Sequence, residues 1–413
     1  MEQSIRRVAV TGMGAVTPIG HNVGDFWDSM MAGKHGIAPI THFDASEYKS
    51  KLAAEVKDFD PKARMDKNDI LRSDRYAQFA VCAAAEAVEQ SGIIGTVEPE
   101  RIAVYMGTGI GGMQTFINEH DKLRAKGPRR VSALFVPMMI ANMAAGMIAI
   151  RYDCRGTAMP TVTACASGSN AIGEALRLIR HGYADAVIAG GAEAAITETG
   201  VAGFINMQAL STSEDPDCAS LPFDKKRGGF VIGEGGGALV LEEYEHAVKR
   251  GAVILAELVG YGSTCDAYHI TAPRPDARGG AQAMKDALAE AGYNSSERLY
   301  INAHGTGTPL NDTAETKAIK DALGEETARA AKISSTKSMT GHMLGAAGAV
   351  EAIACVKALQ TGILPPTIGL NDPDPECDLD YCANSPAEYA PEVALSNSLG
   401  FGGHNACLAF RKV

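Results

Sequence analysis

The 413-residue chain has nine cysteines but no CxxC pair. Its two nearest thiols, Cys377 and Cys382, suit neither a zinc knuckle nor a redox dithiol. Unpaired thiols in odd number point to a reducing compartment. No apolar run is long enough to cross a bilayer comfortably. The longest, VPMMIANMAAGMIAI (136–150), is interrupted by Pro137 and Asn142 and reads as a buried helix. The opening MEQSIRRVAV lacks the apolar stretch of a signal peptide, so the expectation is a soluble, cytoplasmic protein with no membrane contact. An excess of basic residues is also missing. The formal net charge is −11, which disfavours nucleic acid as a partner because phosphate neutralisation needs cations. Finally, no Pro/Ser-rich linker divides the chain. Two fused halves, residues 1–254 and 255–413, fit better than two beads on a string.

What is present is 46% hydrophobic residues, enough for a sizeable core. Short apolar runs alternate with helical ones. RRVAVTG (6–12), RIAVYMGTG (101–109), ADAVIAGGAEA (184–194), GGALVLEEY (236–244), LYINAHG (299–305), AKISSTKS (331–338) and EVALSNSLGFGG (392–403) read as strands. RYAQFAVCAAAEAVEQSG (75–92) reads as a helix capped by Gly92, and GGAQAMKDALAEAG (279–292) as another. The alternation predicts an α/β fold with largely buried sheets. YMGTG at 105–109 and AHGTG at 303–307 each close a strand, a weak internal repeat. In VTGMGAVTPIG (10–20) the third glycine position of a dinucleotide loop is Thr17, so a tight turn after the first strand is the better reading.

Chemistry concentrates at strand ends. TVTACASGSN (161–170) runs from a strand into a helix whose Ile172, Ala175, Leu176 and Ile179 share one face. Cys165 therefore stands at a helix start, where free amides and the macrodipole favour a thiolate and pull its pKa toward neutrality. Small neighbours leave room for a substrate carbon. A buried structural thiol is the alternative. His304, in NAHGTGTPLND, and His342, in STKSMTGHMLGAAG, sit at matching strand ends, the second five residues after Lys337. No HxxxH or CxxC clamp supports a metal, and no cofactor is implied. GFGGHNA (400–406) lets backbone approach a substrate closely, and the amides of Phe401 and Cys165 are candidate oxyanion donors.

Taken together, TACASGSNA, NAHGTGTPLND, SSTKSMTGHMLGAAGAVEA and SNSLGFGGHNA resemble the β-ketoacyl-[acyl-carrier-protein] synthases, with closer similarity to the chain-elongating type II members. The likeness runs from RRVAVTGMGAVTPIG to the last strand. It implies a thiolase-like duplicated fold, a five-layer αβαβα sandwich assembled as a homodimer. It implies Cys165 as nucleophile, His304 and His342 as paired histidines, Lys337 beside them and Phe401 as an aromatic gate. By the same likeness Thr306 and Thr308 face the pantetheine arm, while Glu351 and Asp312 match supporting acids. His404 stands where many members have threonine. The implied reaction is acyltransfer: a decarboxylative Claisen condensation of malonyl-[acyl-carrier-protein] with an acyl chain on Cys165.

A long acyl chain needs an apolar tunnel; Ile110, Phe204 and the Met-rich 136–150 segment are candidates for its wall or for the dimer seam, with core packing as the alternative. The family's carrier protein is acidic, so Arg64, Lys67, Arg129, Arg130, Lys225, Lys226 and Arg227 are candidates to dock its acyl and malonyl forms. A thiolase would want a second cysteine at the C-terminal glycine turn, where His404 stands. An initiating synthase would carry Asn in place of His342. A polyketide ketosynthase shares every motif. A noncatalytic partner subunit would lack Cys165, and a thiol hydrolase would release free acid without carbon dioxide.

Overall fold

Val8–Val16 (β1) is buried along its whole length, the mark of a strand covered on both faces. Nine more strands join it in one sheet: Ile102–Gly107 (β2), Ala158–Thr161 (β3), Ala186–Glu193 (β4), Gly235–Glu243 (β5), Ala256–Cys265 (β6), Leu299–Asn302 (β7), Lys332–Ser334 (β8), Val393–Gly400 (β9) and His404–Arg411 (β10). The structure is a computed structural model and describes residues 5–413.

The sheet order is β8-β7-β9-β10-β6-β1-β5-β4-β2-β3. Each set of five repeats one pattern. β1 pairs antiparallel with β5, β5 antiparallel with β4, β4 parallel with β2, and β2 parallel with β3. β6, β10, β9, β7 and β8 follow with the same senses. The two sets meet through only two residue pairs, Ala9 with Glu257 and Val10 with Ala256. Thus the weak AHGTG/YMGTG repeat reflects a complete duplication of topology.

Helices supply the remaining layers. Arg75–Ser91 (α1) packs on β1, β5 and β4 and builds the outer core of the first half. It ends at Gly92 in the left-handed conformation, as its sequence predicts. Arg278–Glu290 (α3) and Pro309–Leu323 (α4) cover the outer side of the second half. Between the two halves lie Ser167–Arg180 (α2) and Ala347–Thr361 (α5), which touch each other and strands of both sets. The layers therefore run α, β, α, β, α. The α2 residues Ile172, Ala175, Leu176 and Ile179 are all buried, and so is nearly all of α5.

Two sequence expectations are corrected. The 136–150 segment is not one buried helix. It forms Phe135–Met139 and Met143–Tyr152, separated at 140–142, with Val136 and Ile150 exposed and only Ala144, Ala145 and Ile148 buried in it. Pro137 lies in the short first piece, and most of the other apolar residues are half-buried, Met147 and Ala149 packing against the edge of the core. Nor does GMG (12–14) turn the chain: both glycines lie inside β1. A Cβ at Gly12 would stand 2.1 Å from the Ala87 carbonyl oxygen, and one at Gly14 would stand 2.0 Å from that of Ala83. These glycines let α1 lie against the strand.

Candidate active site

Both inner helices start from a strained turn. Ala164–Ala166 precedes α2 and Leu344–Ala346 precedes α5, and the two short 3-10 turns touch. Ala164 has φ 50° and Leu344 φ 47°, a region costly for residues with a Cβ. Cys165 occupies the centre of the first turn. His342 stands two residues before Leu344.

Cys165, His304 and His342 line one cavity of about 390 Å³, together with Phe204, Phe230, Thr306, Thr308, Leu344 and Phe401. Two larger surface clefts, of about 680 and 800 Å³, lie on the second half and contain no histidine and no buried thiol. The imidazole rings are edge to face, 5.2 Å between centroids, and Phe230 meets His342 the same way at 5.1 Å. His342 is seated by the first half: its amide donates to the Val231 carbonyl at 2.7 Å, and its carbonyl accepts from Gly233 N at 2.8 Å.

Burial, aided by the nearby Lys337 charge, holds both imidazoles well below the ordinary value of 6.5, so they are neutral. Lys337 is itself buried and ion-paired with Glu351 on α5, which gives the acid in that apolar helix the partner it needs. It does not line the cavity, but its charge reaches Cys165, His304 and His342.

The expected acidification of Cys165 is overturned. The thiol is only 7% exposed, and burial pushes it up to about 12. The amides of Phe401 and Cys165 and the charge of Lys337 favour the thiolate, but desolvation outweighs them. Those two amides approach the sulfur itself, where an oxyanion would form beside it.

Thr306 and Thr308 face the cavity with their hydroxyls 2.9 Å apart. Asp312, in the first turn of α4, accepts from Phe223 N at 2.8 Å and Gly307 N at 3.2 Å, bracing that loop from below. Phe204 lines the cavity, 5.5 Å from Phe230 and 6.5 Å from Phe401. Ile110 does not: it is 43% exposed, outside the cavity walls of this chain. Arg227 is buried rather than on the rim. It bonds Asp374 at 2.6 Å and the carbonyls of Thr308 and Pro309, so it anchors the threonine loop. Arg64 and Lys225 carry surface ion pairs with Glu89 and Asp372, and Lys67, Arg129, Arg130 and Lys226 are exposed.

Two acids escaped the sequence analysis. Glu315 on α4 accepts from His304 N and Gly305 N, each at 2.7 Å, and burial raises it to about 7. Glu193 closes β4 and is fully buried. A lone acid in the apolar run AGGAEA is the signal that was available, since a buried carboxylate demands donors. Asn302 Oδ1, Glu351 Oε2, Ser396 Oγ and Asn397 Oδ1 are buried without hydrogen-bond partners.

A thiol, two neutral imidazoles and a pair of amides around one apolar cavity suit acyl transfer and stabilisation of an enolate. Residues 5–247 match the family model for the β-ketoacyl synthase N-terminal domain, and residues 255–371 match that for the C-terminal domain. The chain belongs to the β-ketoacyl synthase family. The 3-oxoacyl-[acyl-carrier-protein] synthase 2 of Synechocystis sp. is 53% identical over 409 residues, 98% of either chain. Among solved structures, a β-ketoacyl synthase from Burkholderia phymatum superposes with a TM-score of 0.92 at 36% identity, covering 99% of this chain and 100% of that one. A type II polyketide ketosynthase, in complex with its acyl-carrier protein and bound to the hexaketide, gives 0.91 at 35% identity with the same coverage.

Proposed function

We propose that this β-ketoacyl synthase lengthens fatty acyl chains by decarboxylative condensation, with Cys165 as nucleophile and acyl carrier protein delivering both substrates. The observation that carries the reading is the shared cavity of Cys165, His304 and His342 beside the Phe401 amide. In the first step Cys165 Sγ attacks the acyl thioester carbonyl. The amides of Cys165 and Phe401 hold the oxyanion, and the carrier leaves as its thiol. A neutral imidazole in the cavity takes the proton that the buried thiol must lose.

Malonyl carrier then enters with its pantetheine arm along Thr306 and Thr308. His304 and His342 donate hydrogen bonds to its thioester oxygen as carbon dioxide leaves. The resulting carbanion attacks the S-acyl carbon, and the Cys165 thiolate departs. Phe204 lines the acyl side, and Phe401 screens the sulfur. Lys337, with Glu351, keeps the imidazoles unprotonated, while Asp312 supports the threonine loop.

The same reading divides the chain at 254/255, supported by the two matching sets of five strands, with the nucleophile in the first half and both histidines in the second. It takes the chain to be a homodimer working in the cytoplasm. No helix among the described residues is long and apolar enough to cross a membrane. Support for self-association comes from the sheet edge β3, where Met159 and the adjoining Val162 are exposed. Ile110 is also exposed, and a second copy is what would bring it to an acyl tunnel.

A polyketide ketosynthase is the second reading, favoured by the hexaketide-bound neighbour at 35% identity. The 53% identity to the Synechocystis synthase weighs more. Product analysis with carrier-bound acyl chains of graded length plus malonyl carrier tests the choice. One two-carbon extension per turnover, ending at the 3-oxoacyl thioester, is expected. Repeated unreduced extension on one chain would favour the polyketide reading.

A further inference from the structure

Glu193 is fully buried, yet its carboxylate is not left unsatisfied. Oε1 accepts from the Thr108 hydroxyl at 2.9 Å and Ile110 N at 3.2 Å. Oε2 accepts from Gly109 N at 2.6 Å and Gly345 N at 3.1 Å. Four donors therefore converge on one group that only accepts. They come from two places. Thr108, Gly109 and Ile110 form the loop after β2 in the first half. Gly345 is the centre of the turn after His342 in the second half, and in the duplicated topology it occupies the position that Cys165 holds in the first.

The packing around this acid is built for it. A Cβ on Gly109 would lie 2.8 Å from Oε2, and one on Gly345 would lie 2.8 Å from the same oxygen and 2.4 Å from Gly109 N. The nucleophile's turn is fastened to the same loop, since the Ser167 hydroxyl reaches the carbonyls of Thr108 at 3.2 Å and Ala164 at 2.6 Å. On the other side, Leu344, next to Gly345, lines the cavity in a left-handed conformation that needs outside support.

We infer that Glu193 is a positioning residue that ties the nucleophile's turn to the histidine turn, clamping Thr108–Ile110 and Gly345 through one shared carboxylate. The inference rests on the condensation reading above. Glutamine has the same size, but its amide nitrogen would face Ile110 N in the Oε1 position, or Gly109 N and Gly345 N in the Oε2 position, so at least one bond of the clamp is lost. A displacement of this kind near reacting groups costs rate rather than binding. The acid also opposes ionisation of Cys165.

The test is Glu193→Gln in the full chain, with three readings: condensation kinetics with acyl and malonyl carrier, thermal denaturation, and the pH profile of Cys165 alkylation by iodoacetamide. We expect kcat to fall by about ten- to a hundred-fold with KM changed less than about two-fold. The alkylation profile should move to lower pH, because a negative charge near the sulfur is gone. A purely architectural role would lower the melting temperature without separating kcat from KM. A folded variant with unchanged kcat, or one whose kcat and KM worsen to the same extent, overturns the inference. If Glu193→Gln does not fold, Thr108→Val removes one donor alone. It should lose several-fold in kcat while Thr108→Ser retains it, and equal kcat for both would overturn the inference. Wild-type chain that forms no 3-oxoacyl product would instead sink the condensation reading, so the two failures are separable.

Discussion

In the proposed reaction Cys165 is uncharged in the resting cavity and charged when it attacks. Its burial keeps the thiol protonated, and the neutral imidazoles beside it are the bases within the same walls. The arrangement stores reactivity rather than exposing a free thiolate to oxidants. In the same proposal the histidines carry the complementary requirement: they donate hydrogen bonds to an enolate without being imidazolium. Burial comes first among the causes of their lowered pKa, and Lys337 adds to it. Carbon dioxide release from malonyl carrier should therefore show no acid limb near 6.5, the ordinary imidazole value. In Lys337→Met the repelling cation is lost, both imidazoles protonate more readily, and an acid limb should appear at higher pH than in wild type. A pH–rate profile with unchanged limbs would remove Lys337 from this role. Cys165, His304 and His342 were legible in the sequence because each sits where a strand breaks into small residues. The thiol's upward shift was not legible, because a helix start is a local feature whereas desolvation comes from walls supplied by distant segments. Ile110 was less legible for a related reason: an apolar side chain gives no sign of which surface it faces.

At the scale of elements, glycine does two different jobs. At Gly92 it ends α1 with a left-handed residue, and its place at the end of an alanine-rich run made that readable. At Gly12 and Gly14 it is a packing device inside β1, and the sequence GMG looks the same as a turn. What separates the cases is the α1 backbone lying against the strand, which local sequence does not contain. Gly12→Ala should accordingly destabilise the fold by about 1–3 kcal/mol, since the added methyl meets a carbonyl oxygen that cannot retreat without moving α1. Chemical denaturation checks this, and a variant as stable as wild type would show that the helix shifts freely. The 136–150 segment failed for the opposite reason. Its composition is that of a core helix, but composition cannot tell an inner face from a face left exposed at the surface.

At the scale of the molecule, the duplication is far clearer in hydrogen-bond pairing than in residue identity. Strand order and sense depend on backbone geometry, so two halves keep one topology while their side chains diverge. The chemistry exploits this divergence: the turn before α2 carries a thiol, its counterpart before α5 carries a glycine, and the histidines cluster around the second. The outer surface extends the argument. An exposed apolar edge at β3 suits a second copy, so the chain should sediment at twice its 43.2 kDa mass. Met159→Lys, on the exposed edge, should shift it toward monomer. Sedimentation of wild type as a monomer at micromolar concentration would remove the dimer from the account.

The most direct test of the central claim is intact-protein and peptide mass spectrometry after mixing the protein with acyl-carrier thioester, followed by malonyl carrier. The account predicts one acyl adduct, located on Cys165 and absent from Cys165→Ala. Addition of malonyl carrier should then discharge it, with one carbon dioxide released per 3-oxoacyl product. An adduct on another of the nine cysteines, no adduct at all, or discharge to free acid without carbon dioxide would contradict it.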